Sequence, residues 1–375
     1  MHCSYNNTPT LVITMGSYNC RAGFSCENTP RSVFRTVLGR CVNGNPGINV
    51  ERTLYHGKEA IQRQTEISIF RFIEYGIITN WDDFEEFTQK VFYSELKVAP
   101  EEHAVLLSEI PIGPKANREK TTQIMFESFN VGALHLKLDM VLAMIASGRL
   151  TGTVVSSGGT VSHVIPVYLG YGLPHAILRL DQGGDNVTEH LVRLFTERGY
   201  DLTSLENRER VNEIKEELAY ISQDYQKEMS QVSSLKEEWY SLPDGNIVKI
   251  GSERFRCAEI MFNPCLIGRE SCGLTESVYD SIMKSDVDIR KLLYGNIVLS
   301  GGNAMIKGMD TRLARDLTKL APRSCPVEII SLPDKDLLSW FGGAIFSSLL
   351  KSSDVWVTKA EYDDCGPSII HRKCF

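Results

Sequence analysis

Twice in this chain two apolar runs are joined by a tight turn of glycine and small polar residues. One copy is Val154–Tyr168, reading Val-Val-Ser-Ser-Gly-Gly-Thr-Val-Ser-His-Val-Ile-Pro-Val-Tyr, and the other is Leu11–Phe24, reading Leu-Val-Ile-Thr-Met-Gly-Ser-Tyr-Asn-Cys-Arg-Ala-Gly-Phe. Each predicts strand, turn, strand. Gly158 and Gly159 let backbone amides approach an anion, and the hydroxyls of Ser156, Ser157 and Thr160 add donors without steric cost. A single turn of this kind is mostly just a plain hairpin. The repetition constrains the fold: a duplicated domain whose halves face each other would put one turn on each side of a cleft and hold a polyphosphate from both directions. A third stretch, Asn296-Ile-Val-Leu-Ser-Gly-Gly-Asn303, is a buried-strand pattern running into Ser-Gly-Gly and then a helix, a geometry suited to a loop beneath a nucleotide.

In this order and spacing the three elements resemble those of the actin and actin-related family. Other segments are similar to it almost word for word: Gly76-Ile-Ile-Thr-Asn-Trp-Asp-Asp83, Lys115-Ala-Asn-Arg-Glu-Lys120, Gly170-Tyr-Gly-Leu-Pro-His-Ala-Ile177, Ile214-Lys-Glu216, Glu253-Arg-Phe-Arg-Cys257 and Gly366-Pro-Ser-Ile-Ile-His-Arg-Lys-Cys-Phe375. The resemblance covers essentially the whole chain. It implies an α/β fold of duplicated actin-like ATPase (RNase H-like) domains around a central nucleotide cleft. The first half is expected over 1–146 plus 339–375, with 34–71 inserted as a small subdomain. The second is expected over 147–338, with a small subdomain over about 183–271.

Size and composition agree with two domains. The 375 residues exceed the ~100 to 200 of a usual single domain, and 42% apolar residues supply a core. A net charge of −7 without a Lys/Arg block argues against direct nucleic-acid binding. No run approaches the ~20 apolar residues of a membrane span, and Met1-His-Cys-Ser-Tyr-Asn-Asn lacks a signal peptide's pattern. The chain is therefore expected to be intracellular and soluble, and the resemblance implies the cytoplasm and cytoskeleton, with a nuclear address left open. The ten cysteines show no C-x-x-C pair and read as reduced thiols, with Cys374 expected to be the exposed one.

Periodicity places the helices. Asn80 caps one with Phe84, Phe87 and Val91 inward, and Pro114 and Asn117 start another. Leu138, Val141, Leu142 and Ile145 predict a helix stopped by Gly148, which would join the halves as a hinge, with a second crossing near Ser339–Gly343. Asp185 or Asn186 is expected to cap a helix carrying Val187, Leu191, Leu194 and Phe195. Val211, Ile214, Leu218 and Ile221 mark the next, and Pro243-Asp-Gly245 predicts a hairpin turn.

By resemblance, the cofactor-binding set is Gly16, Ser17, Tyr18, Arg21, Ser157, Gly158, Gly159, Thr160, Val161, Gly184, Lys215, Glu216, Gly302 and Met305. Without the family match, Lys215 and Glu216 would read as an exposed pair on a helix face. The family holds a divalent cation, through water, on acidic residues at the hairpin starts; here those positions are Thr14, Ser156 and Gly159. Magnesium needs hard oxygens, so metal affinity should drop sharply and no metal ligand is assigned. Tyr18 stands where the family has Gly, Met15 adds an apolar group to the same turn, and Arg21 replaces a phosphate-facing Lys. Ile306 and Asp336 depart from the family around the base. The degenerate catalytic pair is Asp139, in place of a water-orienting Gln, and His163. A carboxylate at 139 has the chemistry of a general base. Beside a triphosphate without metal it repels its substrate: one like-charge pair at ~4 Å and a dielectric near 20 costs about 4 kcal/mol.

The expected cofactor is accordingly ATP or ADP, weakly held. The expected function is a divergent actin-like cytoskeletal or complex-forming structural subunit with static nucleotide binding and little hydrolysis. The alternative is a divergent actin that binds ATP, polymerises and hydrolyses ATP slowly. Three surface features favour the first. The loop Cys41–Glu51 has Asn and Pro in place of an apolar filament contact, the N-terminus lacks an acidic cluster, and Arg269 puts a charge into the Cys265–Glu270 plug. Expected partners are actin-fold or cytoskeletal subunits. A partner helix is expected in a groove of Ile145, Ala146, Gly148, Gly170, Phe341, Ile345, Phe346 and Leu349, residues that equally read as core packing at the hinge.

Overall fold

An apolar run such as Leu11-Val-Ile13 is stable as a strand only where both of its faces are covered. The computed structural model, which describes residues 8–41, 54–57, 60, 67–241, 247–350 and 354–374, shows how each such run is covered. The chain divides into two units. Unit 1 comprises Met1–Thr151, Val167–Pro174 and Leu337–Phe375; unit 2 comprises Gly152–Pro166 and His175–Asp336.

Unit 1 is built on a six-stranded mixed sheet. Strands β1 (Leu11–Met15) and β2 (Asn19–Phe24) form an antiparallel hairpin, and β3 (Ser32–Arg35) adds to β2. On the other side β1 runs parallel to β4 (Ala104–Glu109), which runs parallel to β5 (Ala133–Leu138). Alternation sorts the side chains. Leu11, Ile13, Leu107 and Leu136 pack with Phe84, Phe87 and Met125, whereas Val12 and Leu106 pack with Leu142 and Trp340. The second face is closed by two helices, Asp139–Ala146 and Leu338–Leu349. They approach so closely that a Cβ on Gly342 would lie 1.7 Å from the Leu142 carbonyl oxygen. The Trp340 indole N–H donates to the Val12 carbonyl oxygen at 3.1 Å.

The helix signals hold at this level. Asn80 caps Trp81–Lys90, its side chain accepting from the Asp83 amide at 3.2 Å, and Gly148 follows its helix at φ +72°. Cys374 departs from expectation. The short helix Ile369–Lys373 turns the chain end inward, so that Cys374 is buried, with its sulfur 3.4 Å from His135 Nδ1.

Unit 2 carries the second sheet. Strand β6 (Gly152–Ser157) runs parallel to β9 (Ile297–Ser300), which runs parallel to β10 (Ile329–Ile330). On the other side of β6 lies β7 (Ser162–Tyr168), of which the residues through Pro166 belong to unit 2, and β8 (Leu178–Leu180) is antiparallel to it. The helices Gly184–Glu197, Leu205–Leu218, Leu274–Met283, Val287–Tyr294 and Met309–Leu320 supply Leu191, Phe195, Ile214, Val278, Leu293 and Leu313 to its core.

The helix cap expected at Asp185 or Asn186 lies at Gly183, and Asn186 reaches back to accept from the Gly183 amide at 3.0 Å. Strands Glu238–Ser241 and Ile247–Ile250 pair antiparallel; the Pro243–Gly245 turn between them lies outside the described residues. The N-terminal residues 1–7 and, after Cys41, the loop to Glu51 also lie outside them. No helix among the described residues is long and apolar enough to cross a membrane.

Candidate functional site

The turn of the unit 1 hairpin is short because Met15 pairs with Cys20 and the Gly16 amide donates to the Asn19 carbonyl oxygen at 3.0 Å. Ser17 is buried, and its hydroxyl accepts from the Gly76 amide at 3.1 Å, which ties the turn to the Gly76 loop. The Tyr18 carbonyl oxygen accepts from the Thr36 amide at 3.0 Å. Its ring carries the Arg35 guanidinium 3.3 Å from the centroid, with that of Arg71 at 6.0 Å. Thr14 pairs with Arg21, is 4% exposed, and its hydroxyl finds no hydrogen-bond partner among the described residues.

In unit 2 the turn residues are held from three sides. The Gly158 amide donates to the Val161 carbonyl oxygen at 2.9 Å. The carbonyls of Gly158 and Gly159 accept the amides of Gly184 and Asp185 at 2.9 and 2.7 Å, bringing the start of helix Gly184–Glu197 against the turn. Gly183 is required there, since a Cβ would lie 2.6 Å from the Gly159 carbonyl oxygen. The Ser157 hydroxyl lies 2.8 Å from that of Ser162 and accepts from the Asn303 side-chain amide at 2.9 Å, linking the turn to the Ser-Gly-Gly loop. Gly301, at φ +93°, passes so near that a Cβ would meet the Ser157 carbonyl oxygen at 2.3 Å. The structure thus brings together Ser157, Gly158, Gly159, Gly184 and Gly302, which follows Gly301 in that loop.

Lys215 is buried, and its ammonium donates to the Gly184 carbonyl oxygen at 3.1 Å, to the Thr188 hydroxyl at 2.9 Å and to Asn212 Oδ1 at 2.7 Å. Glu216 accepts from the Asn212 side-chain amide at 2.8 Å. Met305 is 45% exposed at the end of the turn Gly302–Met305, and Ile306 behind it is buried.

Asp139 opens its helix in unit 1, and its Oδ1 is buried without a hydrogen-bond partner among the described residues. Burial pushes its carboxyl up to about 7, against the pull of the backbone amides. His163, on β7 of unit 2 opposite Arg179, is 4% exposed, and its Nε2 has no hydrogen-bond partner among the described residues. Burial, then the charge of Arg179, holds it down to about 4, so it is neutral at physiological pH.

A family model described as Actin matches residues 5–375. The chain belongs to the actin family. Its architecture is the actin-like ATPase fold that the resemblance implied, in an α/β chain with two sheets of parallel and antiparallel strands. Actin-family proteins bind adenine nucleotide with magnesium, so the donors present can be tested against both. The turns suit phosphate: glycines allow close approach, and an orphaned hydroxyl awaits a partner at Thr14. They do not suit an actin-type magnesium. Thr14 and Ser156 offer one hydroxyl each where a carboxylate is needed, and Gly159 offers no side chain.

Gly183, Thr188, Asn212 and Asn303 were not singled out by sequence. Such residues carry no periodic signal, and only the third dimension shows that Thr188 and Asn212 order Lys215, that Asn303 orders Ser157, and that Gly183 lets the helix start approach the turn.

Proposed function

We propose that this actin-family chain is a structural subunit of a cytoskeletal or fixed assembly, one that binds adenine nucleotide weakly or statically and hydrolyses little ATP. The observation that carries this reading is the loss of all three acidic positions, at Thr14, Ser156 and Gly159. Asp139, raised to about 7, and neutral His163 have the protonation states of groups that accept a proton, so what limits hydrolysis is the missing cation clamp, without which the charge of the triphosphate is not neutralised.

The two units are proposed to correspond to the two duplicated halves, with smaller subdomains over 34–71 and about 183–271. The cytoplasmic cytoskeleton is the proposed location. A partner helix is proposed to dock on unit 1 along Ile145, Phe341, Ile345, Phe346 and Leu349. Ile345 and Leu349 there are 42% and 76% exposed. Lys137 Nζ lies 5.7 Å from the Phe346 ring and 5.4 Å from that of Tyr171, which favours a helix with an acidic residue beside its apolar stripe.

Purified protein given magnesium and ATP is expected to retain substoichiometric nucleotide, release phosphate at a rate close to buffer, and stay in the supernatant on centrifugation. Stoichiometric ATP with brisk phosphate release and long filaments would replace this reading with that of a working divergent actin. Phe346→Asp is expected to remove partners captured by the intact chain.

A further inference from the structure

The acidic clamp is missing from the unit 1 hairpin, and arginines stand beside its turn: Arg21 on β2, and Arg35 and Arg71 against the Tyr18 ring. Pairing partners across antiparallel strands point to the same side, as do residues two apart. Thr14 pairs with Arg21, Arg21 lies two residues from Asn19, and Asn19 pairs with Arg35. Thr14, Arg21 and Arg35 therefore share one face at the turn end of the sheet. Arg35 is fixed there by its stack on Tyr18, with Arg71 on the same ring, so Tyr18 serves as a platform for guanidinium groups. On the same face lies the Thr14 side chain, buried, with its hydroxyl lacking a hydrogen-bond partner among the described residues. Such a group costs about 1–3 kcal/mol unless a ligand or water satisfies it.

These features reverse the logic of a metal-bearing site. Carboxylates repel a polyphosphate unless a divalent cation stands between them, whereas a hydroxyl and guanidinium groups take phosphoryl oxygens directly, with charge-assisted and often bidentate hydrogen bonds. We propose that the β1–β2 hairpin binds the phosphoryl end of a polyphosphate without a divalent cation, through the Thr14 hydroxyl and the Arg21 and Arg35 guanidinium groups. The inference rests on the reading of this turn as a phosphate site and names the charge chemistry by which it works. The polyphosphate is that of a nucleotide or a free inorganic one.

Calorimetric titration of the nucleotide-stripped full chain with pyrophosphate and with ATP, each in EDTA and in magnesium, tests this. Pyrophosphate affinity is expected to be equal or greater in EDTA, to fall with salt, and to drop tenfold or more in Arg35→Ala, with partial recovery in Arg35→Lys. ATP binding tenfold tighter than pyrophosphate identifies a nucleotide, and equal affinities identify an inorganic ligand. Tenfold weaker binding in EDTA, binding indifferent to Arg35→Ala, or no binding of either anion would overturn the proposal. The EDTA comparison needs no variant and stands even where Arg35→Ala fails to fold. Brisk ATP turnover would sink the structural-subunit reading and leave this test unaffected, so the two fail separately.

Discussion

At the scale of single residues, two kinds of buried titratable group pull stability in opposite directions. Asp139 titrates at about 7 when folded and near 4 when unfolded, so its contribution is intact at low pH and is lost as pH rises from about 4 through 7. Asp139→Asn is therefore expected to stabilise the protein at pH 8, by at most about 4 kcal/mol, and to change nothing at pH 4. Urea melts at the two pH values decide it, and equal effects at both would show that the carboxyl is not desolvated. His135 and His163 run the other way. Both are held down to about 4 by burial, so their contribution is intact above about 6.5 and is lost as pH falls toward 4, by roughly 3 kcal/mol each at most. Of the eight histidines, these two are expected to show no NMR titration above pH 5. A midpoint near 6.5 for either would contradict its burial.

At the scale of elements, glycines divide into those the packing requires and those it tolerates. Gly342→Ala drives a methyl group into the Leu142 carbonyl between two packed helices, and a loss of roughly 3 kcal/mol or more is expected. Gly302→Ala meets nothing within 4 Å among the described residues and is expected to leave the melting temperature within about a degree. Similar melts for both would mean that the helices do not pack as described. The strands were legible in the sequence, because runs such as Leu11–Ile13 and Ile297–Leu299 admit little else between turn signals. The cap at Gly183 was not, because the Asp185 and Asn186 side chains look like better caps until the close approach of Gly158 and Gly159 is known. Cys374 was misjudged for a related reason. A position next to the chain end suggests exposure, but Ile369 and Ile370 anchor the last helix in the unit 1 core and carry the thiol in with them. Burial pushes that thiol up to about 11, so thiol reagents at pH 8 are expected to label Cys26, Cys265, Cys272 and Cys365 well before Cys374. Mass spectrometry of labelled peptides over time would show the order.

For the whole molecule, the question is whether ligand and metal still stabilise the fold. Family membership was legible from segments spread over the chain, while the chemistry that survives depended on a few positions that only the family's pattern made conspicuous. A ligand that binds only the folded state adds RT ln(1 + [L]/Kd), about 2.7 kcal/mol at a hundredfold excess over Kd. A chain without the acidic clamp gains none of this from magnesium, and its melting temperature is expected to be the same in EDTA and in millimolar magnesium. Returning carboxylates at Thr14→Asp, Ser156→Asp and Gly159→Asp, with Tyr18→Gly and Asp139→Gln, should alter that dependence in both directions. In EDTA the new carboxylate at position 14, where the native side chain is 4% exposed, pays for desolvation and the melt should fall. With magnesium and ATP together the melt should rise above that of the unaltered chain, because metal and nucleotide then bind the folded state as one linked pair. If the unaltered chain already melts higher with magnesium, the cation has found other ligands and the loss of the clamp does not explain the site. If the altered chain stays insensitive to magnesium, nucleotide binding has diverged at more than these five positions, with Ile306 and Asp336 the first to examine.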